Sequence, residues 1–326
     1  MFMNAPVDFK AIEGMFRRDY KQIEVKFEPE YSVAWTYLNP TGVPCFNPEI
    51  LGEIRAHDEA IESNGGRLLH HGDLRQIRYY VVASKTENVF NFGGDLALFV
   101  HLVKAQDRDA LTRYATLCVR NMHSRIANYN SPMTTISLVQ GEALGGGFET
   151  VLSSNVIIAE RCARMGMPEI LFNLFPGMGA YSLLARRLGV KRAEEMIFSG
   201  RIFTAAELHE MGVVDVLVDD GLGEAAVYDY IRSNERRRNG MQAVFSCRQQ
   251  FQPVTYEELL NITTIWVNAA LRLEERDLKL MSRLVSSQTR RAKAPAPTAQ
   301  SGRARYDVAA FESDAMPLDL QRYALA

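Results

Sequence analysis

The stretch GEALGGGFETVLSSNVIIAERCARMGMPEILFNLFP, residues 141–176, decides how this chain is interpreted. It contains three consecutive glycines at residues 145–147, followed closely by Glu149, and a second carboxylate, Glu169, after Met167 and Pro168. Glycine lets a ligand come close to the backbone, so that backbone N–H groups can face it. The stretch therefore predicts a glycine turn beside two candidate acid–base groups.

The composition around this stretch is that of a folded protein with a small-molecule or protein partner. The chain has 326 residues, of which 47% are hydrophobic and 23% charged, enough for one large domain or one domain with a helical appendage. Its formal net charge of −2 gives no basic bias of the kind that nucleic acid binding requires. We therefore expect no nucleic acid partner.

Cysteine usage and the N-terminal sequence predict a cytoplasmic protein. Cys45, Cys118, Cys162 and Cys247 are far apart and form no CxxC pair, which argues against a disulfide framework and against a zinc site. The chain has no run of about 20 apolar residues, as a membrane span needs. We expect neither secretion nor membrane insertion.

The N-terminal half predicts strands alternating with helices. Residues 1–20 are expected to form an arm or a short helix, and KQIEVKFEP and YSVAWTYL after it read as a hairpin of two strands. Asn47 and Pro48 mark the start of a helix that continues to about Ser63. The β-rich run at residues 77–84 predicts a strand covered on both faces. This order of elements indicates a layered α/β fold.

The glycine pair Gly93-Gly94 forms a second turn of the same kind. It lies between a short apolar segment and a helix expected from Asp95, in NVFNFGGDLALFVHLV. A further helix is predicted at residues 108–127, followed by the strand TTISLVQG. Each glycine turn thus follows a strand and precedes a helix, which leaves free N–H groups at a positive helix end.

The C-terminal half predicts mostly helices. A strand at residues 155–160 precedes three short helices, and an apolar stripe through residues 256–284 predicts one long amphipathic helix. The alanine-, proline- and arginine-rich residues 287–305 are typical of a linker. Trp266 and the apolar face around it can close a ligand pocket or simply pack in the core.

Two converging N–H donors form an oxyanion hole, and two carboxylates can work as acid and base. Glycine pairs at such turns also serve packing alone, Glu149 fits the role of a helix-end charge, and the apolar setting of Glu169 can raise its pKa. Because they are twenty residues apart, the two glutamates cannot share one helix face. Spacing alone leaves paired catalysis and separate structural roles open.

Other catalytic signatures are lacking. GGGFE does not have the GxGxxG spacing of dinucleotide-binding turns, and no GK[ST], GxSxG or HExxH motif occurs. His101 and His123 have no obvious Ser or Asp partner, so we interpret both as structural.

In FNFGGDL, VQGEALGGGFE and MPEILFNLFPGMGAY, over roughly residues 21–285, the sequence resembles the crotonase (enoyl-CoA hydratase/isomerase) superfamily. The resemblance implies an α/β fold, a spiral of ββα units with a helical C-terminal region, assembled as a homotrimer or a dimer of trimers. It divides the chain into an arm at residues 1–20, a spiral core at 21–200, a helical region at 201–286 and a linker-like tail at 287–326. That tail departs from the general pattern of the superfamily.

The resemblance also implies roles for single residues. Gly94 and Gly146 correspond to the backbone donors of the oxyanion hole, and Glu149 and Glu169 to the two glutamates of the hydratases. Isomerases commonly keep only the second glutamate, so hydration or dehydration is favoured over double-bond shifting. Trp266 is the candidate for a substrate-binding side chain. No cofactor is expected, because the substrate is itself an acyl-CoA or an acyl carrier protein (ACP) thioester.

Within the superfamily, VFNFGGDLALF, ALGGGFE and LFPGMGAYS resemble the diffusible signal factor synthases of quorum sensing. This implies dehydration of a 3-hydroxyacyl-ACP to a cis-2-enoyl chain and hydrolysis of the acyl-ACP thioester, with ACP and possibly a sensor protein as partners. Glu169 would remove the C2 proton, and Glu149 would help the 3-hydroxyl leave. The alternatives are a catabolic enoyl-CoA hydratase and a regulatory binding module with a crotonase fold.

Overall fold

A computed structural model describes residues 19–293. The predicted arm at residues 1–20 lies almost wholly outside this range, as does the tail beyond residue 293. The strands are β1 (Ile23–Glu28), β2 (Val33–Leu38), β3 (Arg67–His70), β4 (Asp73–Gln76), β5 (Tyr79–Ser84), β6 (Val89–Asn91), β7 (Thr134–Val139), β8 (Glu142–Leu144), β9 (Val156–Glu160), β10 (Arg164–Gly166), β11 (Ile202–Thr204) and β12 (Val216–Val218). The helices are α1 (Pro48–Ser63), α2 (Leu96–Lys104), α3 (Arg108–Ile126), α4 (Gly146–Leu152), α5 (Ala180–Leu188), α6 (Val190–Ser199), α7 (Ala205–Glu210), α8 (Gly223–Asn234), α9 (Arg238–Phe251), α10 (Tyr256–Ala270) and α11 (Glu275–Lys293).

The largest sheet has six strands in the order β1-β2-β5-β7-β9-β12. β1 and β2 form the predicted antiparallel hairpin, and every later neighbour pairs in parallel. The parallel strands are buried and rich in β-branched residues, as expected of a sheet covered on both faces. Trp35, Val81 and Ile158 on this sheet pack against Val227 of α8 and Phe245 of α9. The predicted α/β architecture is confirmed.

A second sheet positions the candidate site. Its order is β11-β10-β8-β6, with β6, β8 and β10 parallel. β6 leads into Gly93-Gly94, β8 leads into Gly145, and β10 leads into the 3-10 helix Pro168–Phe172, which contains Glu169. Because the carboxyl ends of neighbouring parallel strands lie at one edge of a sheet, three segments distant in sequence meet there.

Several helices begin where the sequence predicts. The side chain of Asn47 accepts a hydrogen bond from the N–H of Ile50 at 3.0 Å, with Pro48 as the first helical residue of α1. Asp95 caps α2 in the same way through the N–H of Leu98. These are the local signals by which a helix start can be read from a sequence.

The predicted single helix at residues 256–284 is wrong: the chain forms α10 and α11 with a break at residues 271–274. The N–H groups of Arg272 and Leu273 turn back to the carbonyls of Ala269 and Ala270, which tightens and ends α10. Asp277 then caps α11 by accepting from the N–H of Glu274 at 2.9 Å. α11 also runs on to Lys293, so the first residues of the predicted linker-like tail are helical.

Several elements were not predicted individually: the strands β8, β10, β11 and β12, the helices α8 and α9, and the hairpin of β3 and β4. β3 and β4 form a small separate hairpin between α1 and β5. No helix within residues 19–293 combines the length and the apolar character needed to cross a membrane.

Candidate active site

The two glycine turns lie against each other. Gly93 has a φ angle of +92° and Gly145 one of +51°, backbone conformations that residues with a side chain rarely adopt. A Cβ added to Gly93 would lie 2.8 Å from the nitrogen of Gly146, and one added to Gly146 would lie 3.5 Å from the nitrogen of Gly94. The contact between the turns therefore requires glycine, and it brings the backbone nitrogens of Gly94 and Gly146 side by side.

These two nitrogens are available as donors. Within residues 19–293 neither N–H has a hydrogen-bond acceptor, and Gly146 is the first residue of α4, where an intrahelical acceptor does not exist. The helix dipole adds partial positive charge at the same place. The pair can thus bind one oxygen that carries negative charge.

Two side chains that the sequence interpretation overlooked support the Gly93-Gly94 turn. Asn91 accepts from the N–H of Gly93 through Oδ1 at 2.7 Å, and the Tyr114 hydroxyl donates to the carbonyl of Phe46 at 2.5 Å. Phe46 in turn donates its N–H to the Gly93 carbonyl at 2.7 Å. Asn91 stands next to the glycine pair in FNFGG and could have been singled out, whereas no local signal points to Tyr114.

Glu149 is buried in the first turn of α4. Its Oε1 accepts two hydrogen bonds, from the N–H of Met178 at 2.8 Å and from the N–H of Ala180 at 2.9 Å. Burial raises the pKa of Glu149 to about 7, although the backbone donors at Ala180, Met178 and Gly179 oppose the rise. The two hydrogen bonds therefore hold the carboxylate in place, and its pKa lies near neutral pH.

Glu169 lies in the 3-10 helix Pro168–Phe172, above the other glycine turn. A Cβ on Gly145 would lie only 2.3 Å from its Oε1, so the carboxyl group is packed directly on that backbone. Its Oε2 is buried and makes no hydrogen bond to any residue from 19 to 293. Burial, followed by the negative charge of Glu149, raises the pKa of Glu169 to about 8.

The two environments differ in the way that separates an acid from a base. Glu149 has backbone donors that stabilise its anion, while Glu169 has a free oxygen and faces a neighbouring negative charge. Near neutral pH the pair therefore holds one proton, and Glu169 is the better holder. Such a pair can take a proton from one group and give a proton to another in the same step.

Trp266 lies behind this arrangement, on α10. Its ring packs edge-on against Phe99 with centroids 5.1 Å apart, and a Cβ on Gly177 would lie 2.4 Å from it. Phe99 touches Gly94, and Gly177 precedes the backbone donors to Glu149. The structure thus places Trp266 against the supports of both halves of the site.

A cavity of about 490 Å³, part of it open to solvent, runs from the glycine turns into the interior between α1, α3 and β5. Near the turns it is lined by Phe46, Met178 and Thr150, and the Thr150 hydroxyl donates to the Gly146 carbonyl at 2.9 Å. Leu51, Ile54, Val82, Cys118 and Met122 continue its walls. The cavity is mostly apolar, and Phe46, Thr150 and Met178 place one end of it beside the glycine turns and Glu149.

The histidines interpreted as structural lie on helices and enter no arrangement with the glutamates. His101 is exposed on α2, and His123 on α3 contacts the ring of Tyr256 with centroids 5.6 Å apart. Neither lines the cavity.

Comparison with known proteins shows which family the chain is similar to. A family model described as enoyl-CoA hydratase/isomerase matches residues 67–251. A probable enoyl-CoA hydratase, echA8, from Mycobacterium leprae is 35% identical over 232 residues, which cover 69% of this chain and 81% of that protein. The mitochondrial methylglutaconyl-CoA hydratase of Mus musculus is 29% identical over 217 residues, covering 64% of this chain and 65% of that protein, just under two thirds of its length.

The fold is also found among solved structures. The human mitochondrial delta3-delta2-enoyl-CoA isomerase superposes with a TM-score of 0.67 at 15% identity, covering 84% of this chain and all of that one. At this identity the likeness concerns the fold. Since the family model spans more than half of the chain, the protein belongs to the enoyl-CoA hydratase/isomerase family.

Proposed function

We propose that the protein adds water reversibly across the double bond of a 2-enoyl thioester. The observation that carries this proposal is the glutamate pair beside two free backbone N–H groups. The Glu149 carboxyl is buried and held by backbone donors, whereas Glu169 has one buried oxygen without a partner. A double-bond shift needs one group to move a proton, whereas hydration needs a base for water and an acid for carbon. Two glutamates of different pKa supply both.

In the proposed mechanism the N–H groups of Gly94 and Gly146 bind the thioester carbonyl oxygen. Addition of water at C3 moves electrons onto this oxygen and forms an enolate. Donors already in place stabilise that charge without reorganisation, and removing one such donor typically costs about 10²–10³-fold in rate. The C2 carbon then accepts a proton to complete the product.

The glutamates divide the proton transfers. Glu149 has the lower pKa and, as the carboxylate, removes a proton from the attacking water. Glu169 has the higher pKa and, as the carboxylic acid, donates its proton to C2. In dehydration the same atoms run in reverse: Glu169 takes the C2 proton and Glu149 protonates the leaving 3-hydroxyl. The division of roles inferred from the sequence is the same, written for dehydration.

For the thioester carrier we propose coenzyme A. The related proteins named above are called enoyl-CoA and methylglutaconyl-CoA hydratases, and the mostly apolar cavity suits a fatty acyl chain. No cofactor takes part in the proposed mechanism, because water, thioester and the two glutamates balance the reaction.

The second candidate is the signal synthase that the sequence motifs favour. In it, 3-hydroxyacyl-ACP loses water to give a cis-2-enoyl chain, and water then attacks the thioester carbonyl to release the fatty acid. The observation in its favour is that the same two N–H groups would stabilise both intermediates, since each places negative charge on the former carbonyl oxygen. ACP, a sensor protein and a trimeric assembly belong to this candidate as proposals.

One experiment separates the candidates. Purified protein is incubated with trans-2-enoyl-CoA and, separately, with 3-hydroxyacyl-ACP, and the products are identified by mass spectrometry and chromatography. We expect 3-hydroxyacyl-CoA from the first substrate in a reversible reaction. A free cis-2-unsaturated acid from the second, with no turnover of the first, would replace our proposal by the signal synthase. Binding of either thioester without any product would instead indicate a regulatory module.

A further inference from the structure

The cavity that begins beside the glycine turns, at Phe46, Thr150 and Met178, has polar groups at its other end. It follows α1 through Leu51, Ile54 and Asp58, and α3 through Cys118, Met122 and Arg125. On each helix the first and last of these residues are seven apart, which corresponds to about 10 Å along the axis. The walls therefore extend about 10 Å inward, with Asn121 as a single polar group among apolar side chains on these two helices, before several polar side chains follow together.

The lining at the inner end consists of Asp58, Arg125 and Tyr129, which we call the polar floor. All three side chains are more than nine-tenths buried. Tyr80 and Thr36 lie beside them and bind each other through their hydroxyl oxygens at 2.7 Å. Thus the inner end differs from the walls in having several polar side chains.

The atoms of the polar floor are not fully satisfied by the protein. Both carboxyl oxygens of Asp58, Nη1 of Arg125 and the hydroxyl of Tyr129 lack a well-formed hydrogen bond to any residue from 19 to 293. Tyr129 interacts with Asp58 on one side and with Arg125 on the other, but these contacts leave the hydrogen-bonding capacity of the three groups unfilled. The other side of the Arg125 guanidinium is fixed, because its Nε and Nη2 donate to the hydroxyls of Ser153 and Ser154 at 3.1 and 2.6 Å. The floor therefore presents free donors and free acceptors to the same cavity.

Other groups around the floor do not remove its polarity. Asp58 is surrounded by Arg55, Arg125 and Glu62, and burial raises its pKa to about 8 despite the two arginines. Arg55 is engaged with Ser124 and Glu62, at 2.9 and 2.6 Å. Whether neutral or charged, the Asp58 carboxyl keeps a need for hydrogen bonds that a hydrocarbon cannot meet.

We infer that the polar floor sets the acyl chain length that the enzyme accepts. The inference rests on the proposed function insofar as the cavity receives the tail of the acyl chain. Burial of each methylene in the apolar section contributes favourable free energy of binding. A tail that reaches the floor instead excludes water from Asp58, Arg125 and Tyr129 and offers these groups no hydrogen bond. Affinity rises with length until the tail meets the floor, and then falls.

The test measures the affinity of the full-length protein for a series of saturated acyl-CoA thioesters by calorimetry. Saturated chains cannot be hydrated, so the measurement does not depend on catalysis. For wild-type protein we expect Kd to fall by up to about fourfold per added methylene and then to rise at least tenfold over the next two or three carbons.

Three variants assign that reversal to the floor. Tyr129→Phe removes one floor hydroxyl at nearly constant volume, and Asp58→Leu combined with Tyr129→Phe removes most of the polarity. The rise in Kd beyond the optimal chain length should be at least threefold smaller in Tyr129→Phe. In the double variant it should disappear or begin at a longer chain. Tyr79→Phe is the matched control, because Tyr79 is a buried tyrosine with an equally unpartnered hydroxyl outside the cavity, and it should keep the wild-type profile.

The outcomes are distinct. A reversal that is identical in Tyr129→Phe and Tyr79→Phe would overturn the inference, as would an affinity that does not depend on chain length. A maximum that moves to shorter chains in the Asp58→Leu double variant would show that volume, not polarity, sets the limit, since leucine is larger than aspartate. If the affinity profile is as expected but enoyl-CoA is not hydrated, the inference about the polar floor is supported and the proposed hydratase function is wrong.

Discussion

At the scale of single residues, two chemically identical side chains, Glu149 and Glu169, lie in different environments. Glu149 receives two backbone N–H groups, whereas Glu169 lies on the Gly145 backbone with one oxygen unpartnered. Both pKa values are raised by burial, to about 7 and about 8. Carboxyl groups with raised pKa values and unequal hydrogen-bond partners are typical of sites that carry out chemistry.

Replacing either glutamate should abolish most of the activity. We expect Glu149→Gln and Glu169→Gln each to lower kcat/KM for enoyl-CoA hydration by roughly 10²–10⁴-fold, because each removes one proton transfer. The matched control is Glu160→Gln, since Glu160 is a buried glutamate that also accepts from a backbone N–H, that of Gly223 at 2.9 Å. Steady-state rates of the three variants decide the point, and a full rate in either Glu149 or Glu169 variant would refute its role.

The pH dependence of hydration should be bell-shaped. The productive form has Glu149 ionised and Glu169 protonated, so kcat/KM should rise as pH passes about 7 and fall as it passes about 8. Because the groups interact, the two limbs report the pair as a whole. A pH profile of kcat/KM measures this, and a rate that increases steadily up to about pH 10 would contradict the assignment of Glu169 as the acid.

The same burial makes Glu149 a source of pH-dependent instability. Its pKa is raised from 4.5 to about 7 on folding. With respect to this group, the free energy of unfolding is therefore highest below about pH 4.5 and decreases as pH rises through about 7. Glutamine keeps the acceptor oxygen but does not ionise. Glu149→Gln should therefore exceed wild type in unfolding free energy by roughly 3 kcal/mol above about pH 8, and by nothing near pH 4.5. Urea denaturation at the two pH values measures the difference, and a pH-independent difference would be evidence against it.

At the scale of elements, three short parallel strands create the site. β6, β8 and β10 each end in one of its parts: the Gly93-Gly94 turn, the Gly145 turn and the 3-10 helix that contains Glu169. The break between α10 and α11 contributes as well, because Asp277 at the start of α11 accepts from the side chain of Asn173 at 3.2 Å, at the end of that 3-10 helix. The site is thus held by elements from most of the described chain.

Alanine at Gly145 should separate packing from backbone strain. Gly145 has φ +51° and its Cβ would collide with Glu169 Oε1, whereas Gly189 has φ +83° and open space around its Cβ. Both substitutions should destabilise the fold by about 1–3 kcal/mol through strain. Only Gly145→Ala should also displace Glu169 and lower kcat at least tenfold. Equal activity of the two folded variants would show that Glu169 does not depend on this contact.

What could be predicted from the sequence was local. Asn47 with Pro48, and Asp95 after Gly94, predict helix starts because their side chains can accept hydrogen bonds from the first free N–H groups of a helix. The two glycine turns are visible directly as consecutive glycines in the sequence. The β3–β4 hairpin was missed because RLLHHGDLRQ lacks β-branched residues and clear alternation. The break at residues 271–274 contains neither glycine nor proline, and its cause, the Asp277 cap, is visible only in three dimensions.

At the scale of the whole molecule, sheet order turns separate motifs into one site. Glu149 and Glu169 could be named from the motifs, but their meeting depends on the pairing of β8 with β10, which no spacing along the chain reveals. The polar floor was equally invisible to the sequence interpretation, since Asp58, Arg125 and Tyr129 come from separate segments and converge through the packing of α1 on α3. Long-range convergence of this kind sets the limit of reasoning from sequence alone.

The central claim is that this glutamate pair performs hydration, one group acting on water and the other on C2. The most direct measurement is conversion of a trans-2-enoyl-CoA in buffer made with H₂¹⁸O or with D₂O, with the product analysed by mass spectrometry. We predict one ¹⁸O at C3 and one deuterium at C2 for wild type and for Glu160→Gln, and loss of product formation in Glu149→Gln and Glu169→Gln. Product formed at the wild-type rate by either of the last two variants, or no labelled product from wild type, would contradict the account.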